Sequence, residues 1–367
     1  MTARAVCFID LDALAHNLAE VQRIVGPKVR VCGVVKANAY GHGAVPVART
    51  LLRGGAGALA VACFEEAEEL RTAGLAVPIL ILGGIDAELA ADAVRLGLTP
   101  VVWDAEALRE IASAVPSGRR LQIHLKVDTG MHRLGAAPSA LEELIRTATE
   151  LSVEVDGVLS HLACADEPEN ASVAAQLAEF EEALALAEEV GLRPRIRHLA
   201  ASAGLLADAR THFDMVRAGL VLYGCLPHAS FADRVTLRPV MELRTHVVQV
   251  KTIPPGDAVG YGFTWRAERQ TRLAVLPIGY GQGYPRALSN RAHVAIGEAT
   301  APVVGTISMD HVTVDVTDVP DVEPGTEVVL WGGTGPDVMQ LGKSAGTIGY
   351  ELLSRVAHGV PRVYRGG

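Results

Sequence analysis

A lysine that ends a run of strand-forming residues and is followed at once by glycines is placed for carbonyl chemistry. Residues 34–43, Val-Val-Lys-Ala-Asn-Ala-Tyr-Gly-His-Gly, have that form around Lys36. Two readings suit Lys36: a surface charge capping a strand, or an amine whose pKa is lowered by its surroundings so that it condenses with a carbonyl. Tyr40 follows four residues later and faces the same site if the turn is helical. Comparable candidates recur downstream. Lys126-Val-Asp-Thr-Gly-Met-His-Arg133 sets two cations and Asp128 where a strand becomes a loop, and His161 ends an apolar strand. Ser202-Ala-Gly204 opens a helix, and Arg217-Ala-Gly219 lies in a later strand-like run, a corner where barrels often bind phosphate. Each also has a plain reading: a salt-bridged loop, a core imidazole, an ordinary helix cap.

The elements that must position these residues are legible as a pattern. From residue 29 onward, apolar runs at 29–36, 58–62, 78–83, 99–103, 121–128, 153–162, 195–201 and 215–224 alternate with amphipathic helical stretches. Two such helices are expected at 64–73, with Glu65, Glu66, Glu68 and Glu69 as its wet face, and at 173–190. Eight buried strands alternating with helices predict a parallel sheet closed as a (β/α)8 TIM-type barrel, with the site at the C-terminal strand ends. An open doubly wound sheet is the competing fold. Near Arg238 and Pro239 helical periodicity stops, and short β-branched runs separated by Gly, Pro and Asp begin. Strands are expected there at 245–253, 272–277, 293–296, 303–308, 311–316 and 327–331, with one helix at 348–357. The α/β chain thus divides into a barrel over 1–236 and a mostly antiparallel β domain over 237–367.

Composition narrows the function. The 367 residues are 49% hydrophobic and 20% charged, yet no apolar run reaches the roughly 18 residues a membrane span needs. Asp10 and Asp12 stand where a signal peptide would be apolar, which predicts a cytoplasmic protein. A net charge of −9 offers no field for nucleic acid. The five cysteines lie far apart without a C-x-x-C pair, so neither disulfides nor a zinc cage is expected, and no His-Glu-x-x-His pattern suggests another metal. Gly279-Tyr-Gly-Gln-Gly283 lacks dinucleotide-binding spacing, and Trp331-Gly-Gly-Thr-Gly335 reads as a hairpin. The partner is a small molecule. The second domain adds Gly260-Tyr261-Gly262, Ser308-Met309-Asp310-His311 and Thr347-Ile-Gly-Tyr350-Glu351, where glycines let a ligand or another backbone approach closely.

Together these segments resemble the alanine racemases, pyridoxal-phosphate enzymes of fold type III, from Ile9 through Tyr350. The resemblance implies that Lys36 binds pyridoxal 5'-phosphate covalently and that Tyr40, Ser202, Gly219 and Tyr350 surround its phosphate. It puts Arg217 at the pyridine nitrogen and His161 between Arg217 and Tyr261, the second catalytic base. Arg133 falls near the cofactor's phenolic oxygen and the substrate carboxylate, beside Lys126, a position often carbamylated. Met309 and Asp310 line that carboxylate, and in the family they and Tyr261 come from a partner subunit, so a homodimer with shared sites is implied. Tyr280 and Arg286 fall where the family narrows its entrance. The implied reaction is interconversion of L- and D-alanine by two bases, Lys36 and Tyr261, supplying D-alanine for peptidoglycan. A racemase of wider scope, for serine and alanine, and a non-catalytic pyridoxal-phosphate carrier are the alternatives. Ala201, His132, Ser308 and Gly349 depart from residues common in the family, which touches entrance shape and no catalytic group.

Overall fold

The protein is described here by a computed structural model covering residues 3–167 and 170–367. The chain opens with strand β1 (Ala5–Asp10) and the helix Leu11–Val25. Asp10 starts that helix by accepting the Ala13 N–H at 2.8 Å, and Leu14, Leu18 and Val21 make its buried face. The eight expected runs follow as β2 (Arg30–Val34), β3 (Ala58–Val61), β4 (Ile79–Ile81), β5 (Thr99–Val102), β6 (Gln122–Lys126), β7 (Glu154–Leu159), β8 (Ile196–His198) and β9 (Met215–Ala218). They pair in parallel in the order β8-β7-β6-β5-β4-β3-β2-β9. A parallel bridge between Ala201 and Arg217 joins the two ends, so the sheet closes as a barrel. Every residue of β3, β4 and β5 is buried, as expected of strands covered by helices outside and packed side chains within. The expected helices at 64–73 and 173–190 are Phe64–Thr72 and Ser172–Glu189.

The second part is built on β10 (Met241–His246), β11 (Gln249–Ile253), β12 (Ala258–Val259), β13 (Trp265–Arg266), β14 (Thr271–Leu276), β15 (His293–Ile296), β16 (Ala299–Pro302), β17 (Val312–Asp315), β18 (Glu327–Trp331) and β19 (Arg362–Arg365). A six-stranded sheet runs β16-β15-β18-β10-β1-β19, a three-stranded one β11-β14-β17, and β12 pairs with β13. β1 therefore lies in this sheet, antiparallel to β10 and parallel to β19. Four expectations need correction, the first being the run 245–253, which breaks at Val247 and Val248 into β10 and β11 of two different sheets. The run 303–308 is not a strand: Val303 makes only an isolated bridge to Val314. The helix expected at 348–357 is Gly349–Ser354, but it is not the domain's only one: Val338–Ser344 precedes it. Trp331 to Gly335 is no hairpin, because after its turn the chain enters the helix that Asp337 caps. Among the described residues, no helix is long and apolar enough to cross a membrane.

Candidate active site

Lys36 sits just past β2, where Val35 still donates to the Ala60 carbonyl of β3 at 2.9 Å. The next four residues form a helical turn of the opposite hand. Ala37, Asn38, Ala39 and Tyr40 have φ of 51, 53, 54 and 53°, although none is glycine. At ~1–2 kcal/mol for each L-residue, this geometry costs roughly 4–8 kcal/mol. Offsetting bonds surround it: Ala39 N–H to Val35 O at 2.8 Å, Gly41 N–H to Ala37 O at 2.9 Å, and Ala44 N–H to the Asn38 side chain at 2.8 Å. The helical turn anticipated from Lys36 to Tyr40 exists, left-handed. Its strain puts the Tyr40 ring 4.8 Å from that of Tyr223, whose hydroxyl donates to Val34 O at 2.8 Å.

A cavity of about 880 Å³ opens at the C-terminal strand ends and is lined by Lys36, Tyr40, Lys126, Arg133, His161, Ser202, Arg217, Gly219 and Tyr350. Sequence reasoning had singled out all nine. Burial, then Arg133 and Arg217, lower the Lys36 pKa, with Glu66 opposing. Burial and the same arginines bring Lys126 down to about 8. Asp128 pairs with neither Lys126 nor Arg133; its carboxylate accepts the N–H groups of Gly130, Met131 and His132, each at 3.0 Å. The salt-bridged-loop reading therefore gives way to a carboxylate-centred turn. His132 has φ 54°, a conformation that favours glycine.

Arg217, 3% exposed, forms the centre. It donates to the carbonyls of Ser160 at 2.7 Å, Leu199 at 2.9 Å and His198 at 3.0 Å. It also meets Nδ1 of His198 at 3.0 Å and of His161 at 3.1 Å. A guanidinium only donates, so both imidazoles accept on Nδ1 and carry their proton on Nε2. Nε2 of His198 then donates to Nδ1 of His124 at 2.8 Å, and Nε2 of His124 faces Asp156 at 3.7 Å. Burial, then the cations Arg217, Lys126, Arg133 and Lys36, push His161 down to about 3. His161 is neutral near pH 7 and able to donate from Nε2. His124 and His198 were not marked in the sequence, where each stands inside a strand-like run with no distinguishing signal.

The cavity suits a phosphorylated aldehyde on chemical grounds. Four cationic side chains around one space call for an anionic occupant. Ser202 Oγ accepts the Gly219 N–H at 3.0 Å, leaving its own proton to donate. A Cβ on Gly219 would lie 2.9 Å from the Tyr40 hydroxyl, so glycine keeps this corner open. The Tyr350 ring is 6.2 Å from that of Tyr40.

Tyr261, Met309 and Asp310 are elsewhere. Tyr261 is 74% and Met309 56% exposed, and Asp310 pairs with Arg4 at 3.1 Å; none of the three lines the cavity. The Gly279–Gly283 run supports their loop: Tyr280 and Gly281 donate to the carbonyls of Ser308 at 3.2 Å and Met309 at 2.9 Å. Glu66, assigned to a wet helix face, is instead half-buried and accepts the N–H groups of Ala37 at 2.6 Å and Ala62 at 2.7 Å.

The family models for the alanine racemase N-terminal and C-terminal domains match residues 9–227 and 240–364. The alanine racemase of Symbiobacterium thermophilum is 42% identical over 366 residues, covering 98% of this chain and 96% of that one. That of Desulfovibrio desulfuricans is 40% identical over 358 residues, covering 97% and 96%. The crystal structure of alanine racemase from D-cycloserine-producing Streptomyces lavendulae superposes with a TM-score of 0.95 at 38% identity, covering 100% of this chain and 98% of that one. One from Bartonella henselae, with covalently bound pyridoxal phosphate, gives 0.90 at 30% identity, covering 99% and 100%. On the matched length, the closed eight-strand barrel and the antiparallel domain behind it, this chain belongs to the alanine racemase family.

Proposed function

We propose that the chain is a cytoplasmic enzyme that interconverts L- and D-alanine using pyridoxal 5'-phosphate held on Lys36, and that it works as a homodimer with shared sites, supplying D-alanine for peptidoglycan. When bound, the cofactor supplies a conjugated ring that takes up the electrons left as alanine's α-proton departs, a proton too weakly acidic for a side chain alone. The chain's own residues supply the rest. Ser202, Gly219, Tyr40 and Tyr350 bind the phosphate, and Arg133 with Lys126 beside it faces the substrate carboxylate. Arg217, charged and donor-only, would meet the ring nitrogen without a proton to give it and so temper how strongly the ring draws electrons. His161 donates from Nε2 toward the hydroxyl of Tyr261 of the partner subunit. Lys36 and the partner's Tyr261 hold and move the proton on opposite faces, one base for each enantiomer.

The observation that carries this reading is a division within the single chain. Nine of the site candidates line one cavity, while Tyr261, Met309 and Asp310 are exposed outside it. Their neighbourhood is unusually apolar for free surface: Phe263 is 65% and Tyr280 44% exposed. Mixing Lys36→Ala and Tyr261→Ala chains tests the division. With random pairing half the dimers are mixed and each has one intact site of two, so activity should return to roughly one quarter of the parent. No recovery after confirmed subunit exchange would place both bases in one chain and end the shared-site reading. Loss of optical rotation with L-alanine measured against L-serine separates a strict racemase from one of wider scope.

A further inference from the structure

We propose that Glu66 is a positioning residue for Lys36: its carboxylate ties the first amide of the left-handed turn to the neighbouring strand end and so fixes where the lysine amine stands. This rests on the reading of Lys36 as the cofactor-binding lysine. The backbone leaves the barrel ladder at Val35, and the turn's own bonding starts with Ala39 donating to Val35 O. Between those anchors lie Lys36 and Ala37, the first residue forced to positive φ. Glu66 holds this gap. One of its oxygens accepts Ala37 N–H at 2.6 Å and the other accepts Ala62 N–H at 2.7 Å. Both are short, charge-assisted bonds. The Ala62 bond is local: it reaches back to the residue just before Cys63, the N-cap of Glu66's own helix Phe64–Thr72, one residue beyond the amide that a first-turn glutamate takes in a capping box. The Ala37 bond reaches across to β2 and does nothing for that helix. A non-glycine turn held in the left-handed region relaxes unless its surroundings over-determine it. From its C-terminal side the turn is held by Asn38, Gly41 and Gly43; on the lysine's side Glu66 performs that task.

Glu66→Asp separates the two roles, because the shorter acid keeps the charge and can still cap its helix but cannot span both amides. Two measurements on the full-length chain read the outcome. One is amide hydrogen exchange over residues 37–40. The other is the rate at which pyridoxal 5'-phosphate, added after hydroxylamine stripping, is taken up as the Lys36 amine condenses with its aldehyde and water leaves. Exchange should quicken at least tenfold and uptake should slow at least tenfold. Adding Ala37→Gly, which removes the Cβ cost of positive φ, should bring uptake back to within threefold of the parent. Uptake within twofold of the parent in Glu66→Asp, or a slowing that Ala37→Gly does not restore, would reduce Glu66 to a helix cap and overturn the proposal. If Glu66→Asp does not fold, Glu66→Gln, which keeps the length but offers one acceptor for two amides, is judged by the same thresholds. Borohydride reduction and peptide mapping of the parent keep the two readings apart. A label away from Lys36 removes the premise, whereas a label on Lys36 with unchanged uptake in the variant removes only the role of Glu66.

Discussion

Replacing Lys126 by methionine should make the protein more stable at neutral pH. Lys126 is 8% exposed and shares its cavity with Lys36, Arg133 and Arg217. Burial and these cations lower its pKa from 10.5 to about 8. The unfolded chain therefore holds the proton over a window in which the folded chain has lost it, and stability rises with pH from about 8 to 10.5. Below that window the folded state carries the whole penalty of a charged, buried ammonium, about 3 kcal/mol at ~1.4 kcal/mol per pH unit. That figure is a ceiling, because the side chain lines a cavity that admits water. Methionine has nearly the same shape and no charge. By urea unfolding, Lys126→Met should exceed the parent by up to ~3 kcal/mol at pH 7 and by about 1 kcal/mol at pH 10. If Lys126 takes up carbon dioxide as a carbamate, added bicarbonate should stabilise the parent and leave the methionine variant unmoved. A difference that is the same at both pH values, or a less stable variant, would refute the reasoning.

Two other substitutions probe the site. Tyr261→Phe should lower racemisation ~10²–10⁴-fold, the usual worth of a positioned acid-base group, while cofactor binding measured by absorbance stays near that of the parent, since the hydroxyl is assigned a proton to move and no hold on the cofactor. Gly219→Ala should weaken retention of pyridoxal 5'-phosphate on dialysis without lowering the unfolding temperature. Its Cβ would meet a movable tyrosine hydroxyl at 2.9 Å rather than backbone, and unchanged retention would show that this corner does not hold the phosphate.

The barrel strands were legible because a strand buried on both faces must be written as an uninterrupted apolar run, and residues 58–61 and 79–81 are. Strand ends then located Lys36, His161 and Arg217, since polar groups that end such runs must face the mouth. The hand of the turn after Lys36 was not legible. Residues 37–40 contain no glycine, and the bonds that hold them left-handed come from Asn38, His42 and a glutamate in another helix. Glu66 looked like surface because helical periodicity reports which face is wet and says nothing of a carboxylate bending to a backbone amide. The partners of His198 were hidden for a similar reason: Arg217 on β9 comes within reach only when the barrel closes, and His124 on β6 reaches across β7 at Gly157, where a side chain would block it.

The position of β1 bears on the order in which the chain can mature. Ala5 pairs with Thr245 and Cys7 with Arg362, so β1 stands between strands made much later. The barrel strands up to Ala218 emerge while the hydrogen-bonding edges of β1 have nothing to pair with. Pairing of such high contact order is slow. A nascent barrel therefore trails an unpaired strand until β10 arrives, and its parallel neighbour β19 comes more than a hundred residues later still. Cutting the chain between its two halves would strand β1 with the half that cannot pair it, so barrel and sheet depend on one another for solubility during synthesis as well as in the finished fold.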